Sequence, residues 1–155
     1  MDLKRLIILR HCDADDSGKF LTQAGNDRAV ELGKLIKERF NSRPGKTIVI
    51  SSEALRAIRT AYWIQIGTGS IFRTKTFPGL YSDERNCFVS HALAAIDGCR
   101  ENMETLVVIT HLEMAEQLPH SFGSVVLKMP TIPRQQFDRG HGIAIDCEKK
   151  TWELI

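Results

Sequence analysis

Arg10 and His11 follow directly on the apolar residues 6–9, and two later stretches are built alike. Residues 47–50 (Thr-Ile-Val-Ile) lead into Ser51, Ser52 and then Arg56, while residues 106–109 (Leu-Val-Val-Ile) lead into Thr110 and His111. A phosphoryl group in transfer spreads negative charge over several oxygens. Forked guanidinium donors hold such oxygens, and a neutral imidazole can attack phosphorus through one ring nitrogen while the other donates to a carbonyl. Catalysis of this kind rests on placement and charge, so it calls for no metal or other cofactor. Arg10 and Arg56 are candidate phosphate clamps. Either His11 or His111 can be the nucleophile, with the other as a second donor to the phosphate.

For these groups to meet, the three apolar runs must be neighbouring strands of one sheet, because ligands of open α/β sheets sit beyond the carboxyl ends of the strands. The elements read accordingly. Residues 3–9 form a buried parallel strand. Thr22 caps a helix whose apolar positions Ala29, Leu32, Ile36 and Phe40 keep a 3.6-residue period, and residues 43–45 close that unit. Residues 47–50 form the second strand. Ser52 is expected to cap a helix with Leu55, Ile58, Tyr62 and Ile66 inward and Glu53 in its first turn, stopped by Gly67 and Gly69. A third strand is expected over 71–77, then a Pro78-Gly79 turn and an irregular stretch, 80–89. Ser90 should cap a helix that turns Leu93, Ala94 and Ile96 inward. After the strand 106–109, a short helix beyond His111 is expected to break at Pro119. Residues 142–147 and 151–154 make a closing hairpin. The pattern predicts a three-layer α/β/α sandwich with a mixed, mainly parallel central sheet.

The 155 residues, 43% hydrophobic, suit a single domain, residues 1–155. With 21 basic and 19 acidic residues the formal charge is only +2, which argues against nucleic-acid or membrane binding by bulk charge. No signal peptide or membrane-spanning stretch is read. Cys12, Cys87, Cys99 and Cys147 are scattered without a C-x-x-C pair, pointing to a reducing cytoplasm.

The residues after the strands resemble motifs of the histidine phosphatase superfamily, the phosphoglycerate-mutase-like fold. Leu9-Arg10-His11 is similar to its opening Arg-His-Gly motif. Thr22, Gly25, Ala29 and Gly33 resemble its Leu-Thr-x-x-Gly-x-x-x-Ala helix entry. Ser52, Arg56, Ala57, Thr60 and Ala61 match Ser-x-x-x-Arg-Ala-x-x-Thr-Ala position by position, and Thr110-His111 resembles the motif of the second histidine. The resemblance implies that His11 becomes phosphorylated, that Arg10, Arg56 and His111 bind the phosphoryl group, and that water then releases phosphate. The short chain is most similar to the small bacterial phosphohistidine phosphatases, which implies phosphohistidine on a protein as substrate. A small phosphomonoester is the alternative, and an inactive module that binds phosphate or phosphoproteins is a third reading.

Three departures stand out: Cys12 for the glycine, Glu53-Ala54 for Pro-Leu, and Leu112-Glu113 for small residues. Cys12 reads as a small residue that fits, the other reading being an oxidation-sensitive thiol. The superfamily's general acid follows the third strand, where Asp83 and Glu84 are the candidates for protonating a leaving alkoxide. A protonated imidazole needs that help less. Specificity is expected in residues 13–19, 80–89 and 113–136. Rival motifs fail on spacing: a His-Cys-x5-Arg phosphatase would need Arg where Gly18 stands, an EF-hand would need Glu at Ala24, and Gly45-Lys46 lacks a P-loop's upstream glycine. His141, between Gly140 and Gly142, reads as part of a turn.

Overall fold

Strand β1 (Arg5–Arg10), β2 (Thr47–Ser51) and β4 (Thr105–Thr110) show no polar alternation because both of their faces are covered. In the computed structural model, which describes residues 2–155, they lie side by side in a six-stranded sheet ordered β3-β2-β4-β1-β5-β6. β3 (Lys75–Thr76), β2, β4 and β1 run parallel. The hairpin of β5 (Gly142–Asp146) and β6 (Thr151–Leu154) runs antiparallel to β1 at the other edge. The fold is a three-layer α/β/α sandwich with a mixed sheet.

Successive strand residues feed opposite cores, as the two-residue period of a strand requires. Ile7, Leu9, Val49, Val107 and Ile109 pack under α1 (Gln23–Arg39) and α2 (Leu55–Thr68). Leu6, Ile8, Ile50, Leu106 and Val108 pack under α3 (Val89–Cys99) and α4 (Leu112–Ser121). Thr22 caps α1 as expected, its hydroxyl accepting from the Gly25 amide at 3.0 Å. No helix among the described residues is long and apolar enough to cross a membrane.

Four local expectations need correction. The expected strand 71–77 shrinks to Lys75–Thr76, an edge pair whose side chains are both exposed. Helix α2 turns a different face inward: Ala57, Thr60, Ala61 and Ile64 are buried, whereas Leu55, Tyr62 and Ile66 are 44%, 53% and 51% exposed. The cause is close helix packing. Gly67 lies inside α2 with its backbone against Gly33 of α1, where an added Cβ would come within 2.7 Å of the Gly33 Cα; only Gly69, at φ 72°, ends the helix. Small residues permit that approach, and the large apolar ones are left outside. In α3, Phe88 stands at the N-cap instead of Ser90, and Ala94 is exposed while Ala92, Ala95 and Ile96 are buried. Finally, α4 continues through Pro119 to Ser121 and passes into a π turn, Phe122–Val126. Proline cannot donate to the carbonyl four residues back, and the following turn widens, with the Leu127 amide reaching the Phe122 carbonyl.

Candidate active site

The ends of β1 and β4 are in register, Arg10 opposite Thr110, so the residues that follow emerge together. The His11 amide extends the ladder by donating to the Thr110 carbonyl at 2.9 Å, and the Ser52 amide donates to the Ile109 carbonyl at 3.1 Å. These bonds place His11, His111 and Ser52 side by side at the carboxyl edge of the sheet. The two imidazole centroids are 5.3 Å apart. From the other side, the Gly140 amide donates to both the Arg10 and His11 carbonyls.

The hydrogen bonds fix the tautomers. Nδ1 of His11 lies 2.8 Å from the Cys12 carbonyl, which can only accept, so Nδ1 carries the proton and Nε2 keeps a lone pair. Arg56 Nε donates to that lone pair at 3.2 Å. Arg56 Nη2 lies 3.3 Å from Nδ1 of His111 and can only donate, so His111 bears its proton on Nε2 and donates it to Ser52 Oγ at 2.6 Å. Ser52 thus does not cap α2. Its hydroxyl orients the second histidine, and the N-cap position falls to Ala54, which has no side chain to donate or accept. Glu53 precedes the helix, and Arg56 sits in its first turn.

Burial and neighbouring cations keep both imidazoles neutral. His11 is depressed to about 4, chiefly by burial, with Arg56, Arg10 and Arg139 adding to the effect against the Cys12 carbonyl bond. His111 is depressed to about 3, again chiefly by burial, then by His11, Arg56 and Arg10. Arg10 donates through Nη1 to the Phe137 carbonyl at 3.0 Å, and its buried Nε finds no partner among the described residues. The Cys12 thiol is fully buried and pushed up to about 11, chiefly by burial, which keeps it protonated and packed rather than reactive.

Arg10, His11, Arg56 and His111 all line one cleft of about 770 Å³. Its walls are residues 14–18, residues 81–85, Leu112, Glu113 and Arg139. Asp83 and Glu84 are both on the rim. The Asp83 carboxylate accepts from the Arg85 and Asn86 amides and from the Asn86 side chain, which lowers its pKa and keeps it ionised. Glu84 stands exposed beside it. Among the described residues no three His, Cys, Asp or Glu side chains are gathered as metal ligands.

Arg139, Ser82 and Glu113 were not foreseen. Arg139 pairs with Asp13 at 2.9 Å and lies close enough to Arg10 and His11 to depress both. The glycine-flanked turn at 139–142 is present, with Gly140 at φ 75° and His141 exposed. What makes it part of the site is that β5 is antiparallel: Gly142 pairs with Leu9, so the residues entering β5 arrive where β1 ends. Ser82 and Glu113 line the same cleft and share a hydrogen bond of 2.9 Å.

Comparison with solved structures places the fold. The protein histidine phosphatase SixA complexed with tungstate superimposes with a TM-score of 0.71 over 97% of this chain and 94% of that one, at 20% identity. The chain has the histidine phosphatase fold. SixA from Agrobacterium tumefaciens has a TM-score of 0.67 at 21% identity, covering 98% of this chain and 95% of that chain. A mycobacterial glucosyl-3-phosphoglycerate phosphatase in complex with VO3 has a TM-score of 0.63 at 15% identity, covering 97% of each chain. No family model matches the sequence, and no curated protein matches it by sequence. The histidine phosphatase fold therefore shows in the backbone, at sequence identities of 15% to 21%.

Proposed function

We propose that this chain is a metal-independent phosphatase that acts through a phosphohistidine intermediate on His11, with protein phosphohistidine as its substrate. One observation carries the reading: Nε2 of His11, with its lone pair free of a proton, faces the forked guanidinium of Arg56 next to His111 in an open cleft. A phosphate oxygen is a better acceptor for a guanidinium than an imidazole lone pair is. On substrate binding Arg56 turns to the phosphoryl oxygens, together with Arg10, and Nε2 is released to attack phosphorus. The arriving negative charge offsets the cations that depress His111, and His111 becomes a donor to the phosphoryl group. Water then attacks the phosphoenzyme, the electron pair of the P–N bond returns to Nε2, and phosphate leaves.

Two features support a phosphohistidine on a protein. The similar solved structures include proteins described as histidine phosphatase SixA, and the cleft is open to solvent with five carboxylates on its walls, Asp15, Asp16, Asp83, Glu84 and Glu113, against two arginines, Arg85 and Arg139, beyond Arg10 and Arg56. Small anionic metabolites are disfavoured by such a rim. A small phosphomonoester is the second reading, supported by the likeness to glucosyl-3-phosphoglycerate phosphatase and by the extra cation Arg139; of the two candidate acids, Glu84 then serves the alkoxide. The four free cysteines, three of them buried, suit the cytoplasm. The test is hydrolysis of an aryl phosphate and of a phosphohistidine carrier protein with chelator present. Turnover of both, with the carrier preferred, is the expected result; tight phosphate binding without turnover would instead identify a binding module.

A further inference from the structure

The leaving group requires a partner that none of the four residues at the strand ends supplies, and Glu113 is placed for it. His111 is the N-cap of α4, so Glu113 lies in the first turn, where the helix dipole favours a negative charge. Its side chain is anchored. The hydroxyl of Ser82, a residue only 2% exposed, accepts from the Met114 amide at 3.1 Å and spends its one proton on Glu113 Oε2 at 2.9 Å. A carboxylate held as acceptor in this way keeps Oε1 for another donor, and it borders the same cleft as His11 and Arg10. Arg10 and Glu113 also interact electrostatically, the carboxylate partly offsetting the depression of the guanidinium.

Resting on the phosphatase reading above, we propose that the carboxylate of Glu113 accepts the N–H of the positively charged ring of a phosphohistidine and thereby selects nitrogen-linked phosphoryl donors over phosphate esters. In a phosphohistidine one ring nitrogen is bonded to phosphorus and the other, when protonated, is an N–H donor on a positively charged ring. His11 Nε2 gives its lone pair to phosphorus, the donor's P–N bond breaks, and that electron pair returns to the departing ring. The ring leaves as neutral imidazole with its N–H intact, so no proton has to be delivered. An ester departs as an alkoxide that needs a proton, which a carboxylate held as an acceptor by Ser82 does not supply. Glu113 therefore helps the first class and gives the second nothing.

The decisive measurement is the ratio of kcat/KM for a phosphohistidine peptide to that for p-nitrophenyl phosphate in wild type, Glu113→Gln, Glu113→Asp and Ser82→Ala. Glutamine keeps an acceptor for Ser82 but removes the charge, and the ratio should fall roughly tenfold to a hundredfold, the scale of a charge-assisted hydrogen bond. Aspartate should recover part of it. Ser82→Ala, which leaves the carboxylate but frees it to move, should shift the ratio in the same direction by a smaller factor. A ratio that stays put in both Glu113→Gln and Ser82→Ala, or an equal fall on both substrates, would overturn the assignment while leaving the phosphatase reading standing. Wild-type protein that turns over neither substrate would remove that reading, and this one with it.

Discussion

Replacing Arg56 by alanine tests the core of the site most directly, because one guanidinium touches both histidines. Its Nε is 3.2 Å from His11 and its Nη2 is 3.3 Å from His111, and in the proposed mechanism the same fork turns to the phosphoryl oxygens. A charge-assisted hydrogen bond of this kind contributes about 1.5 to 3 kcal/mol, which corresponds to a loss of roughly tenfold to a hundredfold in kcat/KM. The charge has a second effect. Arg56 is among the cations that depress both imidazoles, so without it both should protonate at higher pH and the acid limb of the rate profile should move toward neutrality. Lysine at this position keeps a charge without the planar fork, and should restore the limb more fully than the rate. Aryl phosphate hydrolysis between about pH 4 and 8, normalised to thermal unfolding curves, gives both readouts. Alanine is a good helix former, so α2 should persist. An unchanged rate together with an unmoved acid limb would refute the placement of Arg56 in the site.

Further expectations concern the rest of the machinery. His11→Ala should abolish the acid-labile, base-stable phosphoenzyme, and mass spectrometry finding phosphate trapped on another residue would reassign the nucleophile. Ser52→Ala removes the acceptor of a buried imidazole N–H, which costs about 1 to 3 kcal/mol; activity should drop and the melting temperature should fall by about 2 to 4 °C per kcal/mol, and a wild-type rate would show that Ser52 does not orient His111. Gly142→Ala places a Cβ 1.9 Å from the Ile8 carbonyl oxygen, so denaturant unfolding should show a loss of at least about 1 to 3 kcal/mol, and wild-type stability would contradict the β1–β5 register. Acid should destabilise the protein in a defined window. His11 and His111 titrate near 4 and near 3 when folded, against 6.5 for a free imidazole, so between these values the unfolded chain binds more protons and stability falls as pH drops. Above 6.5 the contribution is level. Substituting His11 and His111 with asparagine should flatten the slope in a plot of melting temperature against pH.

Much of the site could be read from the sequence because each element announces itself locally: a continuous apolar run marks a strand covered on both sides, and the residues after it must lie at the sheet's edge. Arg10, His11 and His111 are of this kind, and Arg56 stands in the first turn of the helix that follows β2. What escaped was decided between elements. Leu55, Tyr62 and Ile66 have faultless helical spacing, yet the Gly33–Gly67 contact dictates which face of α2 goes inward. Ser52 has the identity of a helix cap, but His111, distant in sequence, claims its hydroxyl. Arg139 became a cleft residue only through the antiparallel direction of β5, and Glu113 through a bond to Ser82 on a different loop. Local propensity contains none of these partners.

The in-register ends of β1 and β4 tie the spacing of the two imidazoles to the spacing of neighbouring strands, a length no protein can readily alter. Evolution acting on this scaffold is thereby free to exchange the walls of the cleft, residues 14–18 and 81–85 above all, without detuning the distance between the two imidazoles. New substrates can be acquired by rewriting loops, while the reaction itself stays bolted to the backbone ladder.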